Sequence, residues 1–196
     1  MSENIEIEFK NILLPEEFAT LQSYFSINQE DFQTQVNHYF DTRDFHLKNS
    51  NSALRIRQKG NHMEITLKQP AEVGLLEINQ DINSTELEQM LFSAIIPDGP
   101  VKDALLELLP SSGHLVCFGS LKTFRAEKHY NNGLIVLDYS TYLGHDDYEL
   151  EYEVTDEREG AKNFRELLEK LHIPLRKTDN KIKRFYQRKF SNFQEE

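Results

Sequence analysis

The chain has 196 residues, a formal net charge of −11 and a single cysteine, Cys117. That length suits one domain spanning 1–196 and is short for two. The acidic excess argues against a nucleic-acid polymer or an anionic membrane as partner, and a lone cysteine excludes an intramolecular disulfide, which suits a cytoplasmic setting. No apolar run approaches the ~20 residues of a membrane helix, and the N-terminus lacks the pattern of a secretion signal. Cys117, between Val116 and Phe118, reads as a small buried apolar residue.

Residues 5–12 alternate in the manner of a strand, and Pro15 opens a helix over 15–25. Strands are predicted over 35–41, 52–59, 63–69 and 74–82, with Gly60-Asn61 as a hairpin turn. Thr85 and Glu88 match a capping box for the next helix, and a second helix over 98–109 stops at Pro110. Strands return over 115–130, 133–140 and 147–154, with Asn131-Asn132-Gly133 as the turn between the first two. Asp156 and Glu159 resemble a helix start. The apolar spacing of Phe164, Leu167, Leu168 and Leu171 makes 158–172 helical, and Pro174 ends it. A basic tail over 179–193 reads as a last helix. About eight strands joined mostly by short turns, with helices grouped outside them, predict an α+β fold built on a closed antiparallel β-barrel. Eight strands leave room for one small ligand.

Side chains alternate faces along a strand. Glu6, Glu8 and Lys10 therefore share one face, with Ile7 and Phe9 on the other. The pattern recurs in Arg55 and Arg57, in Glu64, Thr66 and Lys68, in Thr123, Arg125 and Glu127, and in Glu149, Glu151 and Glu153. Asp138 falls in register with Leu134 and Val136, and Glu77 lies two residues from Asn79. One such strand is an ordinary solvated face. When most of a sheet behaves this way, its charges must compensate one another or bind ligands. Clustered carboxylates suit Mg²⁺ or Mn²⁺, while Arg and Lys suit phosphate oxygens. Both kinds together suit a metal–polyphosphate complex. The seven histidines are scattered and read as surface or packing residues.

Five segments carry a resemblance to a known family. Glu6-Ile7-Glu8-Phe9-Lys10 resembles the ExExK signature of CYTH proteins, the triphosphate tunnel metalloenzymes. Tyr39-Phe40-Asp41-Thr42, Ala53-Leu54-Arg55-Ile56-Arg57, Thr66-Leu67-Lys68 and Glu149-Leu150-Glu151-Tyr152-Glu153 resemble further family strands, in family order. The resemblance implies a closed tunnel of about eight strands that binds a triphosphate. It implies metal ligation by Glu6 and Glu8 with Glu149, Glu151 or Glu153, and by Asp138. It gives phosphate binding to Lys10, Arg55, Arg57, Lys68 and Arg125, with Lys10, Arg57 and Lys68 stabilising the transition state. Two departures stand out: Asn79 replaces a second acid after Glu77, and Lys122 and Arg125 are three apart, so only one shares the polar face. Arg125 is favoured. Among Lys181, Lys183 and Arg184, Lys181 is favoured as the closing cation, with Arg184 on the same helical face.

The expected function is metal-dependent hydrolysis of a small triphosphate, chiefly inorganic tripolyphosphate. The alternatives are an adenylate cyclase acting on ATP, with the same grip but attack at the α-phosphorus, and a non-catalytic sensor of nucleotide or polyphosphate.

Overall fold

The computed structural model describes residues 2–110 and 113–191. In chain order its elements are β1 (Ser2–Leu13), α1 (Pro15–Tyr24), β2 (Gln33–Thr42), α2 (His46–Asn49), β3 (Ala53–Lys59), β4 (His62–Pro70), β5 (Leu75–Asp81), α3 (Ser84–Ser93), α4 (Pro100–Leu108), β6 (Leu115–Tyr130), β7 (Gly133–Tyr142), β8 (His145–Val154), α5 (Glu157–Lys170) and α6 (Lys181–Ser191). The sheet is antiparallel, and its strand order, β1-β5-β4-β3-β2-β6-β7-β8, closes into a barrel. The expected eight-stranded α+β barrel is therefore the fold. The strands divide between two compact units, residues 1–5 with 35–121 and residues 6–34 with 122–196.

In the unit formed by 35–121, one face of β2–β5 is apolar. Phe40, Leu54, Ile56, Ile65, Leu67 and Ile78 form a cluster with Leu87 and Met90 of α3 and with Val101 and Leu105 of α4. Each such side chain, fully buried, contributes about 1.5–3 kcal/mol relative to exposure. Cys117 is half-buried and packs on this cluster. The strand β2 ends in a local device. The buried carboxylate of Asp41 accepts hydrogen bonds from the amides of Thr42 (2.7 Å), Leu47 (2.9 Å) and Lys48 (3.0 Å). It thereby holds the left-handed residue Phe45 and the short helix α2. Asp41 is a structural anchor.

The cap of α3 differs from expectation. Asn83, not Thr85, is the N-cap: its side chain accepts from the Glu86 amide (3.0 Å) while Glu86 accepts from the Asn83 amide (2.8 Å). The sequence holds two box patterns two residues apart. The earlier one wins because Ile82 is buried in the core and the chain turns directly after it. The short α2 is an addition to the expected elements, and the last helix begins at Lys181 rather than Asp179. Residues 192 and 193 of the predicted tail helix lie outside the described residues.

In the unit formed by 6–34 and 122–196, the apolar cluster joins Ala126, Ile135, Leu137, Leu150 and Tyr152 of the strands to Phe18 and Leu21 of α1 and Phe164, Leu167 and Leu168 of α5. Asp156 caps α5, accepting from the Glu159 amide at 2.8 Å. The connector after α5 is clamped to β1. Buried Asn11 donates to the Pro174 carbonyl (3.0 Å) and accepts from the Arg176 amide (2.6 Å), and the Ile12 amide donates to Thr178 Oγ1 (2.8 Å). Arg176 forks onto Glu17 of α1 at 2.7 and 2.8 Å. These contacts fix where α6 begins.

The helix α5 closes tightly on its sheet at Gly160. A Cβ there would lie 2.6 Å from Val154 Cγ2 and 2.8 Å from Phe9 Cε2. Ala gains up to about 1 kcal/mol over Gly in helix propensity, but forcing a methyl into a packed core costs about 1–3 kcal/mol. Val154 is β-branched and held in a strand, so it yields little. Gly160→Ala is expected to lower the thermal midpoint by a few degrees, read from paired melts of the two proteins; an unchanged or raised midpoint would show that the contact relaxes.

Candidate functional site

The polar faces of the strands opposite the two apolar clusters carry the charged residues. In the second unit their register sets the neighbours. Arg125 of β6 faces Asp138 of β7, and Asp138 faces Glu149 of β8. On the other side of β8, Glu151 faces Lys10 of β1 and Glu153 faces Glu8. Residues opposite one another in an antiparallel pair have Cβ atoms about 5 Å apart, close enough for direct ion pairing.

Arg125 grips Asp138 with both arms of its fork, Nε to Oδ1 at 2.8 Å and Nη2 to Oδ2 at 2.6 Å, and Nη2 also donates to Glu151 Oε2 at 2.7 Å. Its Nη1 is 4.0 Å from Glu153. From α6, the Lys181 ammonium reaches Asp138 Oδ2 at 2.7 Å and bonds to Glu149 and Glu151 as well. One turn on, Arg184 donates to Asp147 Oδ2 (2.8 Å) and to both oxygens of Glu149 (3.0 and 3.2 Å). Tyr142 also donates to Asp147, at 2.6 Å. Lys183 turns away to pair with Asp179 at 2.7 Å. Lys122 is exposed over the Phe124 ring, 4.7 Å from its centroid.

Burial would push the Asp138 carboxyl up, but Arg125 and Lys181 outweigh it and hold it below its ordinary range. Glu151 is likewise buried, and Lys181, Arg125 and Lys10 hold it well below. Burial opposes the charge of Lys181, yet Asp138, Glu149 and Glu151 raise its pKa. Glu153 differs. Burial, only partly offset by Arg125, together with the neighbouring carboxylates of Glu151, Glu6 and Glu8, pushes it up to about 7. Lys10 bonds to Glu8, and its pKa is raised: burial opposes its charge but Glu8 and Glu151 more than offset that.

The six predicted metal ligands thus form two groups. Asp138, Glu149 and Glu151 each offer a carboxylate oxygen within 4.8 Å of the others. Hard oxygen donors at that spacing fit a small divalent cation. These oxygens are already bonded by Lys181 and Arg125, so a metal there must displace an ammonium. Glu6, Glu8 and Glu153 act on one another electrostatically, and burial together with that repulsion holds Glu153 above an ordinary carboxylate pKa. A divalent cation beside them would relieve the repulsion.

In the first unit, the polar face aligns Asn37 with Arg57 and Glu64, Tyr39 with Arg55 and Thr66, and Lys68 with Glu77. Arg57 Nε donates to Asn37 Oδ1 at 3.1 Å, and Lys68 pairs with Glu77 at 2.5 Å. A further group, His62, Glu64 and Asp81, lies at the end of this face. His62 and Asp81 are 3.6 Å apart with both side chains mostly exposed, the ordinary condition of surface charges.

Among the predicted residues, Glu6, Glu8, Lys10, Arg125, Asp138, Glu149, Glu151, Glu153 and Lys181 share the polar face and α6 contacts of one unit, while Arg55, Arg57 and Lys68 share the polar face of the other. Asp147 and Arg184 belong to the charge network; Asp147 was not among the predicted site residues, and Arg184 was a candidate closing cation placed behind Lys181. Both carried a signal: Asp147 continues the period-two run of Glu149, Glu151 and Glu153, and Arg184 lies three residues from Lys181 on one helix face.

Comparison with known proteins bears on this arrangement. A protein of Bacillus subtilis (strain 168) named "Putative triphosphatase YjbK" is 48% identical over 189 residues, 96% of this chain and 98% of that protein. A Bacillus halodurans structure described as a "putative adenylate cyclase" is 46% identical, with a TM-score of 0.91, covering 95% of this chain and 100% of that one. HpAC1 of Hippeastrum, 23% identical with a TM-score of 0.77 over 93% of this chain and 96% of its own, shares the fold. The CYTH domain pattern matches residues 4–186. Matched along nearly its whole length, the chain belongs to the CYTH domain family.

Proposed function

We propose that this chain is a triphosphatase, a divalent-metal-dependent hydrolase of a small triphosphate, with inorganic tripolyphosphate as its substrate. The observation that carries the reading is the group of mutually repelling carboxylates Glu6, Glu8 and Glu153 beside a network in which Lys10, Arg125 and Lys181 meet carboxylates. The name of the B. subtilis relative points the same way. The whole chain acts as a single CYTH domain, in the cytoplasm, whose reducing conditions a lone Cys117 suits.

Glu6, Glu8 and Glu153 are the favoured ligands for Mg²⁺ or Mn²⁺, with Glu149, Glu151 and Asp138 available once Lys181 moves. The metal would polarise phosphoryl oxygens and offset charge on the group being transferred. Lys10, Arg55, Arg57, Lys68, Arg125 and Lys181 bind phosphate oxygens. Lys10, Arg57 and Lys68 hold the charge that spreads onto those oxygens as the bond breaks. Arg125 holds its own wall together with Nε and Nη2, and its Nη1, 4.0 Å from Glu153, would turn to a phosphate oxygen once a metal takes that carboxylate. Lys181, now on carboxylates, gains a phosphate oxygen in their place.

The B. halodurans relative's description supports a second reading, cyclisation of ATP. The two differ in product. Purified protein with Mg²⁺ or Mn²⁺ is expected to release orthophosphate from tripolyphosphate. Pyrophosphate and cyclic AMP from ATP would establish the cyclase instead, and no turnover of any triphosphate would leave a binding protein. Arg57→Ala and Lys68→Ala are each expected to weaken tripolyphosphate binding about 10- to 100-fold, the equivalent of about 1.5–3 kcal/mol per charge-assisted contact, measured by calorimetry.

Glu153 supplies a pH test. Its folded-state pKa, about 7, lies above the ordinary 4.5, so the native state holds the proton more tightly than the unfolded chain. The stabilisation this gives is complete below the unfolded value and is lost as pH rises through the folded one. Glu153→Gln keeps the neutral form at every pH. Without divalent metal, the variant's melting advantage over the wild type is expected to grow from about pH 5 to about pH 8. A gap that stays constant over that range would mean that Glu153 ionises normally in the fold.

A further inference from the structure

Thr66 sits in the middle of β4, fully buried, and its hydroxyl oxygen has no hydrogen-bond partner among the described residues. Directly opposite on β3 is Arg55, whose Nε is also buried and also lacks a partner. On the other side Thr66 faces Asn79 of β5, itself buried, and Lys68 follows two residues on along the same polar face. The neighbours Ile65 and Leu67 point into the apolar cluster.

A buried hydroxyl without a partner is destabilising, and valine has the same shape and a better strand preference. The other buried threonine of a polar strand face shows the usual solution: Thr123 pairs with Ser140 at 3.0 Å. Thr66 and Arg55 instead hold two adjacent polar groups ready for something else. Arg55 Nε can only donate, and a hydroxyl can donate equally well. Two donors side by side, with the Lys68 cation on the same face, match an anionic oxygen that accepts several hydrogen bonds.

We propose that the Thr66 hydroxyl, together with Arg55 Nε, binds a phosphate oxygen of the polyphosphate and positions it for Lys68. This rests on the triphosphatase reading and adds to it a neutral hydroxyl donor. The hydroxyl donates its proton to the phosphate oxygen as a hydrogen bond and no proton is transferred.

The test uses the complete chain as wild type, Thr66→Val and Thr66→Ser, with Mg²⁺ and tripolyphosphate as the probe. Thr66→Val removes the unpaired hydroxyl at constant shape, so without tripolyphosphate it melts no lower than the wild type. With tripolyphosphate it is expected to bind about 10- to 100-fold more weakly by calorimetry, as for loss of one hydrogen bond to a charged group. Thr66→Ser keeps the hydroxyl and stays within a few-fold of the wild type. A structural threonine would instead lose stability and affinity together in the valine variant, and that result overturns the proposal. So does unchanged affinity in Thr66→Val, the outcome if a trapped water satisfies the two atoms. Failure of the wild type to bind tripolyphosphate would overturn the triphosphatase reading itself, and the Thr66 assignment with it; binding by the wild type separates the two questions.

Discussion

Asp138 is a fully buried carboxylate in the middle of a strand, and the surrounding network exists to keep it there. An unpaired charge in that position would be untenable, and even a paired one recovers its desolvation only with good geometry. Arg125 provides that geometry through a two-armed fork across the β6–β7 pair, and Lys181 adds an ammonium from α6. Breaking such a pair by removing one partner typically costs about 3–5 kcal/mol, because the other charge stays behind. The position of α6 follows from this. Its first turn is fixed by Lys181 and Arg184 on the carboxylates, and Phe185 packs on Tyr142, whose hydroxyl is held by Asp147.

The helices α1 and α5 answer the same constraint from the other side. Strand alternation places one apolar residue beside every charged one, so a strand presenting Glu149 and Glu151 must also present Leu150 and Tyr152. Those apolar residues are sealed by Phe18, Phe164, Leu167 and Leu168. Gly160 lets α5 come close enough to do so. The charged face and the helical layer are two results of one period-two sequence.

This also explains what could be read from residues alone. Strands, their polar faces and the turn at Asn131-Asn132 were legible because alternation and turn chemistry are local. The cap of α3 was misplaced because Asn83-x-x-Glu86 and Thr85-x-x-Glu88 are equally good locally, and the end of β5 chose between them. The short α2 escaped notice because a carboxylate six and seven residues away holds it, outside any period. For the candidate site, the residue types and faces were visible. Which carboxylate meets which cation was not, since that depends on strand register and on a helix 37 residues beyond Asp147 in sequence. The unpaired hydroxyl of Thr66 lay in a recognised strand but gave no sign, because only the absence of a neighbour distinguishes it.

The cations assigned to phosphate and the carboxylates assigned to metal are, in the second unit, each other's counter-ions. Lys181 cannot move to a phosphate without leaving Asp138, Glu149 and Glu151 short of positive charge. Those oxygens cannot take a metal without displacing the ammonium. A metal on Asp138, Glu149 and Glu151, or a phosphate on Lys181, therefore breaks ion pairs that the other ligand can replace. Under the proposed function, metal and polyphosphate bound together leave every charge partnered, with the metal on the carboxylates and the phosphate on the ammonium and guanidinium groups. The coupling free energy between them is reciprocal, so each must raise the affinity of the other by the same factor. Under that reading the closed charge network is a resting state whose pairs would be exchanged on binding, an exchange that would favour the metal–polyphosphate complex over either component.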